Sequence, residues 1–167
     1  MGVGRFCSAH VAFADSAATR SITLARDERR LIPLDATSLA PTLHIRWAPS
    51  TRLWANRAFA TGLLERASDV TEIALDERSD SAAYAVATEA LERVDRVIVS
   101  AYVSAAAGSG SDALPEPFRA LVRESAERRP TVLISFGNPY LLSAVPEVGS
   151  YLIAWGDRDV SQRAALA

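Results

Sequence analysis

Apolar positions along this chain switch repeatedly between two spacings. "LHIRW" (Leu43–Trp47) reads as a short strand, and "TRLWANRAFATGLLERA" (Thr51–Ala67) sets Leu53, Trp54, Ala58, Leu63 and Leu64 near one helical face. "VTEIALD" (Val70–Asp76) is strand-like, and "SDSAAYAVATEALERV" (Ser79–Val94) is helical, with Ser79 or Asp80 as its N-cap. "RVIVSAYV" (Arg96–Val103) is a nearly unbroken apolar run, the pattern of a strand covered on both faces. "PEPFRALVRESAERR" (Pro115–Arg129) predicts a helix with prolines and Glu116 at its start, where a missing N–H does no harm and negative charge suits the dipole. "TVLISF" (Thr131–Phe136) and "SYLIAWG" (Ser150–Gly156) complete the strands, with a short helical turn between them, and "DVSQRAALA" opens another helix.

Strands alternating with helices across short connections require right-handed crossovers and a parallel sheet with helices on both faces. The expected fold is α/β, a three-layer α/β/α sandwich over residues 41–167 with a mainly parallel sheet of about five strands. Residues 1–40 stay outside this rhythm and predict a lead-in: a helix, an extended segment Ser21–Arg26, a charged turn and "LIPLD". The helix opening at Val160 has room for only about two turns before Ala167. Helices that short are marginal without packing partners, so the domain is expected to be truncated at its C-terminus.

Composition narrows the chemistry. A chain of 167 residues, 49% apolar and 23% charged, suits one soluble globular domain, or one such domain with a short appendage. Net charge is -2 with arginines and carboxylates interleaved, which argues against nucleic acid as a partner. All 18 basic residues are arginine, so Schiff-base chemistry and a P-loop lysine are excluded. Cys7 is the only cysteine, ruling out an internal disulfide and a cysteine zinc cluster; no metal or cofactor is expected. The imidazoles are His10 and His44, and His44 reads as a packed or surface residue of its strand. No run approaches the roughly 20 apolar residues of a membrane span. The N-terminus, interrupted by His10 and Asp15 and without a cleavage site, reads as an amphipathic helix and not a signal peptide.

The segment "ISFGNPYLL" (Ile134–Leu142) holds the candidate site residues Gly137, Asn138, Pro139 and Tyr140. It lies where a parallel strand ends, the place where such sheets receive ligands. Gly137 can take a positive φ, and Pro139 biases Asn138 to an extended conformation. Two readings stand: a rigid corner aiming Asn138 and Tyr140 at a partner, or a strand-to-helix turn with a packed tyrosine. Paired carboxylates at strand edges are Asp76 with Glu77, Asp112 with Glu116, and Asp157 with Asp159; none has a spacing that fixes a glycosidase pair, and each has a capping or loop explanation. Gly108-Ser109-Gly110 fails the dinucleotide pattern at Ala113, and no G-x-S-x-G is present. No residue is assigned a catalytic role.

"SITLARDERRLIPLD", "VDRVIVSAYV" and "ISFGNPYLLSAVPEVGSYLIAWG" followed by "VSQRAALA" together resemble the second domain of glycoside hydrolase family 3, in its β-N-acetylhexosaminidase-like branch. The resemblance runs from about Ala14 to the end. It implies a retaining glycosidase whose aspartate nucleophile and His-Asp proton donor lie on a (β/α)8 barrel. The Lys-His-Phe-Pro-Gly type segment of that barrel is absent here, and a barrel needs about 200 or more residues. The resemblance therefore implies an accessory domain, inactive alone, partnered by a barrel or by a second copy through the same surface, and meeting carbohydrate only through the parent's active site. A periplasmic or exported location suits wall-sugar chemistry, but no segment here targets the chain. The alternative is a free-standing Rossmann-like module for small-ligand binding or dimerisation.

Overall fold

The computed structural model describes residues 3–34, 41–67, 69–104 and 114–167. Helix α1 (Val3–Ser21) leads into strand β1 (Thr23–Asp27); then follow β2 (Thr42–Trp47), α2 (Arg57–Arg66), β3 (Val70–Leu75), α3 (Ser81–Ala90) and β4 (Arg96–Ala101). The chain continues through α4 (Glu116–Arg128), β5 (Thr131–Ser135), a 3-10 turn at Leu141–Ser143, β6 (Ser150–Ile153) and α5 (Asp159–Ala164). The strands form one sheet in the order β1-β6-β5-β4-β2-β3. All neighbours are parallel except β1 and β6. This is the three-layer sandwich with a mainly parallel sheet. Its sixth strand is the extended segment of the lead-in, which pairs Thr23 with Ile153 and Asp27 with Ser150. Asp27 locks that edge: its carboxylate accepts the Leu31 N–H at 2.8 Å, the Ile32 N–H at 3.1 Å and the Ser150 hydroxyl at 2.6 Å.

The two-residue period of the strands sorts their side chains into two cores. Leu43, Ile45 and Trp47 of β2, Val97 and Val99 of β4, and Leu133 of β5 face the layer of α3 and α4, where Leu91, Phe118 and Val122 are buried. Ile98 and Tyr102, Val132 and Ile134, and Leu152 face the other layer, where α2 contributes Phe59 and Leu63. Each buried Val, Leu or Ile contributes about 1.5–3 kcal/mol, so strands with both faces covered dominate the stability. Direction along the sheet reverses after β3, and right-handed crossovers then oblige α2 and α3 to lie on opposite faces. Asp80 caps α3, its carboxylate accepting the Ala83 N–H at 3.0 Å.

Helix α2 starts later than the apolar spacing suggests. Asn56 takes a left-handed conformation, φ 73°, so Leu53–Asn56 forms a turn and the helix begins at Arg57. Asparagine tolerates that region better than most residues. Leu53, 79% exposed, and Trp54 consequently face outward instead of packing on the helical face.

Candidate functional site at the strand carboxyl edge

The five parallel strands deliver their carboxyl ends to one edge, and the strand order reverses between β2 and β4. That crevice is where open α/β sheets hold ligands. Here Arg52, from the loop after β2, enters it. Its guanidinium donates to the Ser104 hydroxyl after β4 and to the Asp157 carboxylate after β6. Beside it, Ser50 donates from its hydroxyl at 2.5 Å and its N–H at 2.9 Å to Glu77 after β3. These bonds hold the Glu77 carboxyl down at about 2. Loops that could line a small-ligand crevice instead bind one another across it.

The Gly137–Tyr140 corner is built from the backbone outward. Gly137 has φ 131°, and a Cβ there would stand 2.5 Å from the Val103 carbonyl oxygen, so glycine is required. Asn138 is buried, and its side-chain oxygen accepts the Tyr140 N–H at 2.9 Å, an Asx-type turn. Its carbonyl accepts from the Ser135 hydroxyl, and the Tyr151 hydroxyl donates to the Pro139 carbonyl at 3.1 Å. The structure thus turns Asn138 inward, while Tyr140 is 67% exposed.

Two further aromatics share this edge, and the sequence reading did not select them. Trp155 follows β6, is 53% exposed, sits at φ 57° and donates its indole N–H to the Thr23 hydroxyl at 3.0 Å. Trp54 follows β2, is 48% exposed and carries the Arg158 guanidinium 5.8 Å from its ring centre. Exposed rings with a polar tip suit surfaces that meet another protein or a sugar. Each had a signal in the sequence, since both stand within a few residues of a strand end. Only the turn geometry decides that they point outward.

The acidic candidates are drawn into local structure. Asp76 accepts the Arg78 N–H at 2.8 Å, Glu116 pairs with Arg119 at 2.7 Å in the first turn of α4, and Asp159 lies in the first turn of α5. Asp112 and the Gly108-Ser109-Gly110 loop lie outside the described residues. Among the described residues no group of three metal-ligating side chains converges, and no helix is long and apolar enough to cross a membrane.

A polar row beneath α2 escaped the sequence reading. The His44 Nε2 lies 2.8 Å from the Ser100 hydroxyl, and its Nδ1 lies 3.6 Å from the Glu72 carboxylate. Asn56 donates to Glu72 at 3.0 Å, and the Tyr102 hydroxyl reaches Asn56 at 3.5 Å. His44 beside it holds the Glu72 carboxyl below the ordinary carboxylate range against the cost of burial, aided by the Arg46 charge and by Asn56. Burial pushes the Tyr102 phenol up. Strand register creates this row, because β2 pairs His44 with Glu72 on one side and Ile98 on the other, leaving Ser100 diagonal.

No protein-family model matches the chain, and no curated protein matches it. Solved structures do. A fungal multi-domain GH3 β-N-acetylglucosaminidase, which has a GCN5-related glucosamine N-acetyltransferase region, superposes with a TM-score of 0.77 at 17% identity, over 95% of this chain and 17% of that one. A glycoside hydrolase family 3 β-N-acetylglucosaminidase from Paenibacillus sp. gives 0.66 at 19% identity, over 91% of this chain and 28% of that one. A β-glucosidase from Listeria innocua, in complex with isofagomine, gives 0.69 at 18% identity, over 92% and 24%. The fold of this chain is therefore that of one part of larger carbohydrate-active enzymes, and the chain spans 17–28% of their length.

Proposed function

We propose that this chain is the accessory α/β domain of a family-3 type β-N-acetylhexosaminidase, seated by its strand carboxyl edge against a catalytic (β/α)8 barrel. The observation that carries the reading is the asymmetry of coverage. Nearly all of this chain, 91–95%, superposes on a minor part, 17–28%, of enzymes of that kind. Two of the three act on β-linked N-acetylglucosamine by their names, which favours that branch. The edge itself supports a docking role: Arg52 fills the crevice, while Trp54, Tyr140 and Trp155 are left exposed.

In this reading residues 1–40 are the lead-in from the barrel, with β1 as the clasp on β6, and residues 41–167 are the domain proper. Gly137, Asn138 and Pro139 fix the corner from which Tyr140 contacts the partner. The parent reaction is hydrolysis of a terminal β-linked N-acetylhexosamine, with the two reacting carboxyl groups supplied by the barrel. The test is turnover of p-nitrophenyl N-acetyl-β-glucosaminide by the purified chain. None is expected, and a rate that tracks the chain through purification overturns the proposal.

A further inference from the structure

We infer that this chain pairs with a second copy of itself through the open edge of β3, joining two sheets into one across a two-fold axis at Glu72. β3 is the last strand of the sheet and is bonded to β2 alone. At one end of that ladder β2 takes the Asp69 carbonyl at 2.9 Å, and at the other the Leu75 carbonyl at 3.1 Å. A parallel ladder uses every second residue, so Asp69, Thr71, Ile73 and Leu75 face β2. The N–H and C=O groups of Val70, Glu72 and Ala74 therefore point away from the sheet, and among the described residues none of them has a backbone partner. Thr71, Glu72 and Ala74 are exposed.

The two edges of the sheet differ in what decides whether an edge pairs. β1, at the far side, carries a bulge between Leu24 and Arg26 and the charges of Arg26 and Asp27. Bulges and charges are the devices that keep edge strands from joining. β3 has no bulge, proline or lysine; its six residues run in unbroken register with β2, and Val70, Thr71 and Ile73 are β-branched strand formers. Its one charge is drawn inward, since Asn56 donates to the Glu72 carboxylate at 3.0 Å and Arg46 lies 3.7 Å from it. The three outward residues are spaced evenly about Glu72. An antiparallel copy centred there sets Val70 against Ala74 and Glu72 against its own counterpart, and meets all six outward groups. Sliding that copy by two residues loses one of the three pairs. Each Glu72 keeps its Arg46, so the row across the junction is neutral. A second copy also accounts for the flank of α3. Ala87 of that helix is buried, and the Thr88 hydroxyl donates to Glu124 of α4 at 3.3 Å. At about 100° per residue, Val86 then faces the side away from α4, where β3 is the outermost strand, and it is 58% exposed. A bare peptide strand leaves that valine in water, whereas a two-fold copy brings its own Val86 to the same face.

The docking proposal uses the carboxyl ends of the strands, whereas this junction runs along the side of β3, so either stands if the other fails. Sedimentation equilibrium of the full chain, from micromolar to near-millimolar concentration, tests it, and a dimer is expected. Ala74→Pro removes an outward N–H and no bond to β2, and Val86→Arg sets like charges on either side of the axis; each weakens association by about tenfold or more. Val11→Arg, on the exposed side of α1, does not. Val86 is a surface residue, so its variant reads out even where Ala74→Pro fails to fold. The register is read by oxidation in a Cys7→Ala background. Glu72→Cys is expected to cross-link two chains, because residues opposite in a hydrogen-bonded antiparallel pair stand about 5.5 Å apart, within disulfide reach. Ala74→Cys, four residues removed from its counterpart, is not. A chain that stays monomeric, leaving the edge to solvent or to an extended segment of another protein, overturns the inference. So does a dimer indifferent to Val86→Arg, or a cross-link through Ala74→Cys in preference to Glu72→Cys.

Discussion

Gln162 of α5 caps a helix more than 100 residues away in sequence, accepting the Phe59 N–H on its side-chain oxygen at 3.1 Å. The same oxygen accepts the Ala58 N–H at 3.1 Å, so two orphan donors of α2 are met by one amide. Asn56 cannot do this itself, because its side chain is turned toward Glu72. The Gln162 amide nitrogen donates to the carbonyls of Asp157 at 2.8 Å and Trp54 at 3.3 Å. Gln162→Leu keeps the volume but strands these groups in a fully buried site. The expected loss is about 2–4 kcal/mol in urea unfolding, and a loss under about 0.5 kcal/mol contradicts the capping role.

Two glycines make a controlled pair. At Gly137 the φ of 131° and a Cβ contact of 2.5 Å with the Val103 carbonyl oxygen both oppose any side chain. The obstruction is backbone, which cannot rotate away. Gly149→Ala, by contrast, meets only the Arg29 side chain at 3.8 Å, an ordinary contact. Gly137→Ala is expected to cost about 2–4 kcal/mol, while Gly149→Ala stays within about 0.5 kcal/mol. Comparison of their melting temperatures with the parent decides it; equal shifts mean the corner is not strained as described.

The alternation of strands and helices was legible because strands covered on both faces leave long apolar runs, as in Arg96–Val103. The lead-in was harder. "SITLARD" pairs at an edge, and an edge strand with a solvated face carries no such run. Trp54 was misplaced for another reason: the apolar spacing ran on through Asn56, where a left-handed residue ended it. At the candidate site, Gly137-Asn138-Pro139 announced a corner, yet the direction of each side chain rests on bonds to Val103, Ser135 and Tyr151 that lie far away in sequence. The His44 row depends on strand register, which local spacing does not encode.

Glu72 gives the stability a defined acid limb. Its folded-state carboxyl lies below the usual value, first through His44 and then through Arg46 and Asn56. A depressed carboxylate contributes stability that is present above its unfolded value and lost as pH falls through the folded one. Glu72→Gln is therefore expected to be less stable than the parent at pH 7, with the gap closing as pH drops from about 4.5 downward. Unfolding followed from pH 7 to pH 3 checks the sign. A gap that widens toward acid contradicts the assignment.

Ser100, His44 and Glu72 carry the atoms of a serine–histidine–acid relay, and their environment decides against that use. A nucleophile must meet substrate, and a relay must be reached by it. Ser100 and His44 are fully buried, with the His44 ring 5.3 Å from Phe59 on the underside of α2. The arrangement instead links three strands, His44 on β2 bonding Ser100 on β4 at 2.8 Å and lying 3.6 Å from the Glu72 carboxylate on β3. A fluorophosphonate probe is expected to leave Ser100 unlabelled in the folded chain, as read by peptide mass spectrometry. Ser100→Ala removes the hydrogen bond that the buried His44 ring makes through Nε2 and is expected to cost about 1–3 kcal/mol. Labelling of Ser100 under native conditions, abolished by His44→Gln, marks a reactive serine and removes the structural reading of this row.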